Sequence, residues 1–344
     1  TGLPKLAELL GEATVLRFSE WLNLSNNMLG HNSSGAANDN VLRCSDIGNA
    51  EVLAKQHRPH LRYCYEIGSW LAWDGSVWKM NDKASVDRFA EQTVRSFPIE
   101  AADYSDSTER NEFMDWAKRS ANLQRVKAMI ESSHYQLHVD QDRFDSDPML
   151  LNVRGASINL TDGTHKDNDR NDFCTKIASA KYDPNAECPK FMDFLDRIMG
   201  GSADLKGYLK RAAGYSLTGS TREQCFFIGH GSGANGKSVF LNLIRDVVGT
   251  YGLNVPMDTL MTKAKSGGIN NDVARLNGAR LVTAIEGETN QKMAESLVNQ
   301  LTGGDKVTAR FLYHESFEFV PELKLWMATN HKPQVAGNDP AIWR

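Results

Sequence analysis

The fold class the sequence predicts is an α/β nucleotide-binding domain at the C-terminal end, preceded by a short helical collar and an α+β domain. Three observations carry it. Residues 225–238 read Cys-Phe-Phe-Ile-Gly-His-Gly-Ser-Gly-Ala-Asn-Gly-Lys-Ser, an apolar strand running into a complete Gly-x-x-x-x-Gly-Lys-Ser loop. Val239, Phe240, Leu241, Leu243 and Ile244 then follow at helical spacing. Short strand-like segments come after them at 280–285, 308–312, 317–320 and 324–329.

The loop is the most specific of these signals and makes the domain an α/β P-loop NTPase. Gly231, Gly233, Ala234, Asn235 and Gly236 let successive backbone N–H groups turn toward a polyphosphate, and the helix N-terminus adds its positive dipole end. Lys237 is expected to stand exposed until it meets the β- and γ-phosphates of ATP, and the Ser238 hydroxyl to ligate Mg²⁺.

In chain order, residues 3–24 read as one or two short helices and 30–40 as a polar linker, so 1–40 forms a leading segment. Residues 41–187 form the α+β domain. Asp74-Gly75 and Asp162-Gly163 lie beside strand-like flanks and read as hairpin turns, with helical stretches at 85–95 and 110–132 between them. Trp70, Trp73 and Trp78 read as a small core in preference to a base-stacking surface. Asp140, Asp142, Asp145 and Asp147 read as a solvated acidic loop, without a basic or histidine partner at readable spacing.

Residues 188–215 form the collar. Phe191, Phe194, Leu195 and Ile198 follow i, i+3, i+4, i+7, and a second short helix spans 203–213 before Gly214. Residues 216–344 form the nucleotide-binding domain. The sequence begins at Thr1 and stops at Arg344 directly after Ala-Ile-Trp, which leads to the expectation of a piece of a longer protein.

Composition sets limits. A content of 41% hydrophobic and 24% charged residues is ordinary for globular domains. The five cysteines include no C-x-x-C pair, so free thiols in a reducing, cytoplasmic compartment are expected in place of a disulfide or zinc framework. No stretch approaches a membrane span and no signal-peptide layout is present, so no membrane partner is expected. A net charge of −4 means that any nucleic-acid contact must be local.

Hydrolysis requires acids beyond the loop. The strand at 280–285 runs into Glu286-Gly-Glu288, two carboxylates on one face of an extended chain; Glu286 is assigned to the metal shell and Glu288 to the attacking water, with the division of roles left open. The strand at 324–329 ends in Asn330, whose amide can bond both the water and a γ-phosphate oxygen.

Thr218-Gly219 through Ser238, Glu286-x-Glu288, Leu301-Thr-Gly-Gly-Asp305, Phe317-Glu-Phe-Val-Pro321 and Lys324-Leu-Trp-Met-Ala-Thr-Asn-His-Lys-Pro333 together resemble the superfamily-3 helicases. The branch they resemble is that of the phage and plasmid primase-helicases related to the poxvirus helicase-primase. Met149-Leu-Leu-Asn-Val, Tyr182-Asp-Pro, Cys188-Pro and Gly214-Tyr-Ser-Leu-Thr-Gly resemble the domain preceding the helicase there, so the likeness covers most of 41–344. The resemblance implies an AAA+-like ATPase using ATP and Mg²⁺. It also implies self-assembly into a ring, usually a hexamer, and 3′ to 5′ movement on single-stranded DNA, in the host cytoplasm if the protein is viral.

The same resemblance implies that Lys237, Ser238, Glu286, Glu288 and Asn330 act as read above. It implies too that a hairpin at 308–317 projects into the channel, with Lys306, Arg310 and His314 as its DNA contacts. Arg344 matches the first arginine of the family's Gly-x-Trp-Arg-Arg element, an arginine finger to a neighbouring subunit; Ala341 stands in place of the Gly, and which arginine of the pair acts stays open. A primase domain or protein is a further implied partner, although no primase motif occurs in this chain. Two other readings compete: a packaging or other P-loop motor, and a nucleotide-switched origin-binding or assembly protein with little turnover.

Overall fold

The computed structural model of the chain describes residues 43–262, 271–285, 292–312, 315–331 and residue 334. Contacts group it into two compact units that interleave in sequence: Thr1–His57 with Asp87–Gln136, and Arg58–Val86 with Leu137–Arg344.

The first unit is helical, built from α1 (Asp46–His57), most of α2 (Lys83–Glu100), α3 (Ser107–Ser120) and α4 (Leu123–Ser132). The single helical stretch expected at 110–132 is thus two helices. Asn122 breaks it, because its side chain accepts from Gln124 N and caps α4, as Asp106 caps α3 by accepting from Thr108 N and Glu109 N. Phe97, Phe113 and Trp116 form the larger core cluster of this unit. Asn49 satisfies the buried indole by accepting from Trp116 Nε1 at 3.1 Å and itself donates to Ser120 Oγ at 3.0 Å.

The second unit is mixed α/β. An antiparallel sheet joins β1 (Leu61–Cys64), β2 (Ser69–Trp73) and β3 (Trp78–Met80). A second sheet runs in the order β6-β5-β4-β7, from β4 (Leu150–Arg154), β5 (Ala156–Asn159), β6 (His165–Lys166) and β7 (Ala178–Lys181). Both expected hairpin turns are present. Asp74 Oδ1 accepts from Ser76 N and Val77 N, and Asp162 Oδ1 accepts from Thr164 N. Trp78 is fully buried and Trp70 nearly so, which is the core role expected of them; Trp73 is half-buried.

Asp145 and Asp147 tie turns, accepting from Thr175 N and Met149 N. Asp140 departs from the expectation of a partnerless loop acid. His138 lies 3.0 Å from it, because pairing of the backbone at His138 with Tyr63 holds this segment against β1.

The third sheet positions the candidate site. Its order is β8-β13-β10-β9 and every pairing in it is parallel, from β8 (Phe227–His230), β9 (Gly252–Asn254), β10 (Leu281–Ile285) and β13 (Lys324–Thr329). All six residues of β13 are buried, the continuous burial of a strand covered on both faces. Val282, Ala284, Leu325 and Met327 enter one core cluster with Leu260 and Leu301. Leu281, Trp326 and Ala328 enter the other, with Phe240, Leu241 and Tyr251.

Helices α5 (Pro189–Ile198) and α6 (Ala203–Leu217) precede this sheet, α7 (Lys237–Val248) follows β8, and α8 (Asn271–Ala274) and α9 (Glu295–Gly303) lie further on. The α5 residues Phe191, Phe194, Leu195 and Ile198 pack against the cluster holding Phe240 and Trp326. Helix α6 continues through Gly214, where a stop at 213 is expected, because its last turn is used: Trp326 Nε1 donates to the buried Ser216 Oγ at 2.9 Å. The strand that the sequence places at 225–228 lies two residues later as β8, since its register with β13 runs from Phe227↔Trp326 to His230↔Thr329. The hairpin strands are β11 (Val307–Arg310) and β12 (Ser316–Phe319), each one residue earlier than expected at its start. The five cysteines are free thiols, and no helix among the described residues is long and apolar enough to cross a membrane.

Candidate functional site

The glycine loop leaves the C-terminal end of β8 and enters α7 at Gly236. Gly236 has φ +82, and a Cβ there would lie 2.7 Å from Ile198 Cγ2 and 3.2 Å from Phe194 Cε2. Left-handed backbone and close approach both demand glycine at this point. Ala234 is also left-handed, at φ +58. Gly233, Ala234 and Asn235 are exposed, whereas Lys237 and Ser238 are half-buried. Ser238 lies in the first turn of α7, whose N–H groups have no acceptor within the helix, and Phe240 and Leu241 anchor that turn in the core.

Lys237 is not exposed in the way the sequence suggests. Its Nζ donates to Gly231 O at 2.8 Å, Asn235 Oδ1 at 2.8 Å, Asn330 Oδ1 at 3.2 Å and Ser232 O at 3.4 Å. Its stem runs over Gly229, where an added Cβ would sit 3.5 Å from Lys237 Cδ. An ammonium carries three donors, and the loop's own acceptors satisfy them.

Asn330 reaches this position because β13 is inserted between β8 and β10. The turn behind it is pinned: Thr329 Oγ1 donates to His331 O at 2.6 Å and accepts from His331 N at 3.1 Å. Registers His230↔Thr329 and Ile285↔Ala328 bring the C-terminal ends of β8, β13 and β10 side by side, the edge at which open α/β sheets take ligands. Glu286, Glu288, His314 and Arg344 lie outside the described residues.

In the hairpin, Arg310 is exposed opposite Ser316, and Lys306 Nζ lies 3.7 Å from Glu318 Oε2. An exposed pair of that kind is held weakly. Phe311 and Phe317 stack at 5.6 Å next to the tip.

The N-terminal ends of β10 and β13 hold a polar cluster that the sequence pattern conceals. Arg280 is buried, donates to Leu217 O at 3.0 Å and Asp147 O at 3.2 Å, and lies over the Tyr251 ring. Lys324 is also buried, and its Nζ donates to Ser220 O, Glu322 O and Thr218 O. Burial, reinforced by Arg280, pushes the Lys324 ammonium down to about 7, with Glu322 opposing. Burial raises the Glu322 carboxyl. This end of the sheet is structural, and the opposite end carries the loop.

Two families of known proteins match separate stretches of the chain. Residues 50–200 match a family described as D5 N terminal like, and residues 229–342 match a family of unknown function. A protein of Acanthamoeba polyphaga mimivirus provisionally named helicase L207/L206 is 28% identical over 207 residues, covering 58% of this chain and 21% of its own. The chain is similar to the phage and viral primase-helicases. A second viral relative, provisionally named helicase 022R of Frog virus 3, is 26% identical over 45% of this chain and 16% of its own. The chain therefore aligns with about a fifth of the length of these relatives. Among solved structures, the C-terminal region of NrS-1 covers 83% of this chain and 56% of its own at 10% identity, with a TM-score of 0.47. At those values it carries no argument about this chain.

Proposed function

We propose that this chain is part of a primase-helicase and carries ATP-driven DNA helicase activity. The observation that supports the reading best is the convergence of Lys237 and Asn330 on one glycine loop at the C-terminal edge of a parallel sheet. On this reading residues 231–236 cradle the phosphates of ATP, Lys237 exchanges its loop acceptors for β- and γ-phosphate oxygens, and Asn330 orients the attacking water. The Ser238 hydroxyl, an oxygen donor in the first helical turn, suits Mg²⁺, with Glu286 as the acid completing the shell. Bound Mg²⁺ would neutralise charge on the transferring phosphate. Glu288 activates water, and Arg344 reaches a neighbouring subunit's nucleotide in a ring of copies.

The hairpin supplies the contact with single-stranded DNA through Lys306, Arg310 and His314. Several copies of a few cations make a positive channel in a protein whose net charge is −4.

Unwinding of a forked duplex, measured beside basal and DNA-stimulated ATPase, tests the whole reading. The wild type should open the fork, and Arg310→Ala combined with His314→Ala should lose unwinding and DNA stimulation while basal hydrolysis persists. Hydrolysis with no fork opening would replace helicase by another P-loop motor, and tight nucleotide binding with no turnover would replace it by a switch.

A further inference from the structure

The turn between β1 and β2 and the segment 137–140 are far apart in the chain, and the backbone of Tyr63 ties the segment to β1. Tyr63 N donates to Leu137 O at 2.8 Å, and Val139 N donates to Tyr63 O at 2.9 Å. Extended chain alternates its side chains, so the burial of Leu137 and Val139 turns His138 and Asp140 outward on one face. Glu66 reaches the same place from the turn, which Gly68 N closes by donating to Tyr65 O at 3.1 Å. One donor atom of each of Glu66, His138 and Asp140 lies within 4.8 Å of the other two. Among the described residues no other three carboxylate, imidazole or thiol groups converge in this way.

Groups around the trio hold it in place. His138 Nε2 lies 3.0 Å from Asp140 Oδ1, and the Tyr65 ring packs 5.2 Å from the imidazole. Cys64 Sγ donates to Glu66 Oε2 at 3.2 Å, which fixes the carboxylate from behind. The backbone N–H of Glu66 and the Cys64 thiol keep the Glu66 carboxyl below its usual range, with a smaller contribution from His138. Two carboxylates gathered about one imidazole repel each other, and the imidazole balances a single negative charge only while it is protonated. A divalent cation balances both and takes the imidazole as a neutral ligand.

We propose that Glu66, His138 and Asp140 bind a divalent transition-metal cation of the Zn²⁺ type, which clasps the β1–β2 turn to the segment at 137–140. One imidazole nitrogen and two carboxylate oxygens suit Zn²⁺, whereas Mg²⁺ and Ca²⁺ favour oxygen ligands throughout. The flanking thiol and tyrosine ring orient the ligands, as groups behind a metal centre do. The site lies on other elements than the glycine loop and requires neither ATP nor the helicase reading.

The test is calorimetric titration of chelator-stripped protein with Zn²⁺ alone, for the wild type, His138→Ala and Glu66→Gln/Asp140→Asn. The thermal midpoint of each metal-free protein is the control for folding, and because all three side chains are exposed the variants should melt close to the wild type. The wild type should take up one equivalent more than either variant, with affinity for that equivalent falling at least about tenfold in both. Zn²⁺ should raise the midpoint of the wild type above that of the variants. The extra uptake should weaken from about pH 7.5 to about pH 6, because the imidazole must give up its proton to bind. Equal uptake by the wild type and either folded variant would overturn the proposal, as would no uptake by the wild type at micromolar Zn²⁺. Displacement of the bound Zn²⁺ by an equal concentration of Mg²⁺ would overturn the assignment to a transition metal.

Discussion

Asn330 Oδ1 accepts a hydrogen bond from Lys237 Nζ at 3.2 Å, across 93 residues of chain. The contact exists because β13 lies beside β8, so the residue ending one strand faces the loop ending the other. It also places the Asn330 amide next to the group proposed to hold the γ-phosphate.

Replacing Asn330 by Ala should therefore slow ATP turnover roughly 10- to 100-fold, the range for losing one oriented polar group at a reacting centre. Nucleotide affinity should change by only a few-fold. Single-turnover hydrolysis beside equilibrium titration separates the two effects, and a large loss of affinity with normal turnover would remove Asn330 from the chemistry.

Gly236 links the loop to α5. A methyl group there meets Ile198 Cγ2 at 2.7 Å and must adopt φ +82, so Gly236→Ala should destabilise the fold by roughly 1–3 kcal/mol. Ile198→Ala costs stability of its own by thinning the core, but measured against that single variant the added Gly236→Ala should cost less than it does in the wild type, leaving mainly the backbone part. Denaturant midpoints of the two single variants and the double variant check this, and equal midpoints for Gly236→Ala and wild type would contradict the packing described.

Lys324 makes stability depend on pH in the alkaline direction. Its folded-state value of about 7 lies below that of an unfolded lysine, so across the interval between them the unfolded chain binds more protons and stability rises with pH. Below that interval both states are protonated and the cost of the buried ammonium is present in full. The unfolding free energy of wild type relative to Lys324→Met should therefore rise from pH 7 to 9.5, with a slope approaching about 1.4 kcal/mol per pH unit. A flat difference would show that the three carbonyl acceptors keep the ammonium charged.

Much of this arrangement is legible in sequence because local patterns encode it. The run Lys324-Leu-Trp-Met-Ala-Thr reads as a buried strand, and Gly231 to Ser238 reads as a loop opening a helix, since each depends on neighbours in the chain. What escapes depends on partners far away. Nothing local marks Phe194 and Ile198 as the wall against Gly236, or extends α6 to place Ser216 under the Trp326 indole. The break at Asn122 was available in principle, because an Asn two residues before Gln124 is a capping signal inside an otherwise continuous helical pattern. His138 and Asp140 are also close in sequence, but their pairing depends on the bridge to Tyr63. The interleaving of the two units is a property of long-range contacts, which periodicity does not carry.

The central claim is that the glycine loop holds ATP through Lys237, and steady-state Mg²⁺-dependent ATP hydrolysis by Lys237→Ala tests it most directly. Among the described residues Lys237 bonds to the loop and to Asn330, so the variant should unfold at nearly the wild-type denaturant midpoint while turnover drops by roughly 100-fold or more. A folded Lys237→Ala protein that hydrolyses ATP at the wild-type rate would contradict the account.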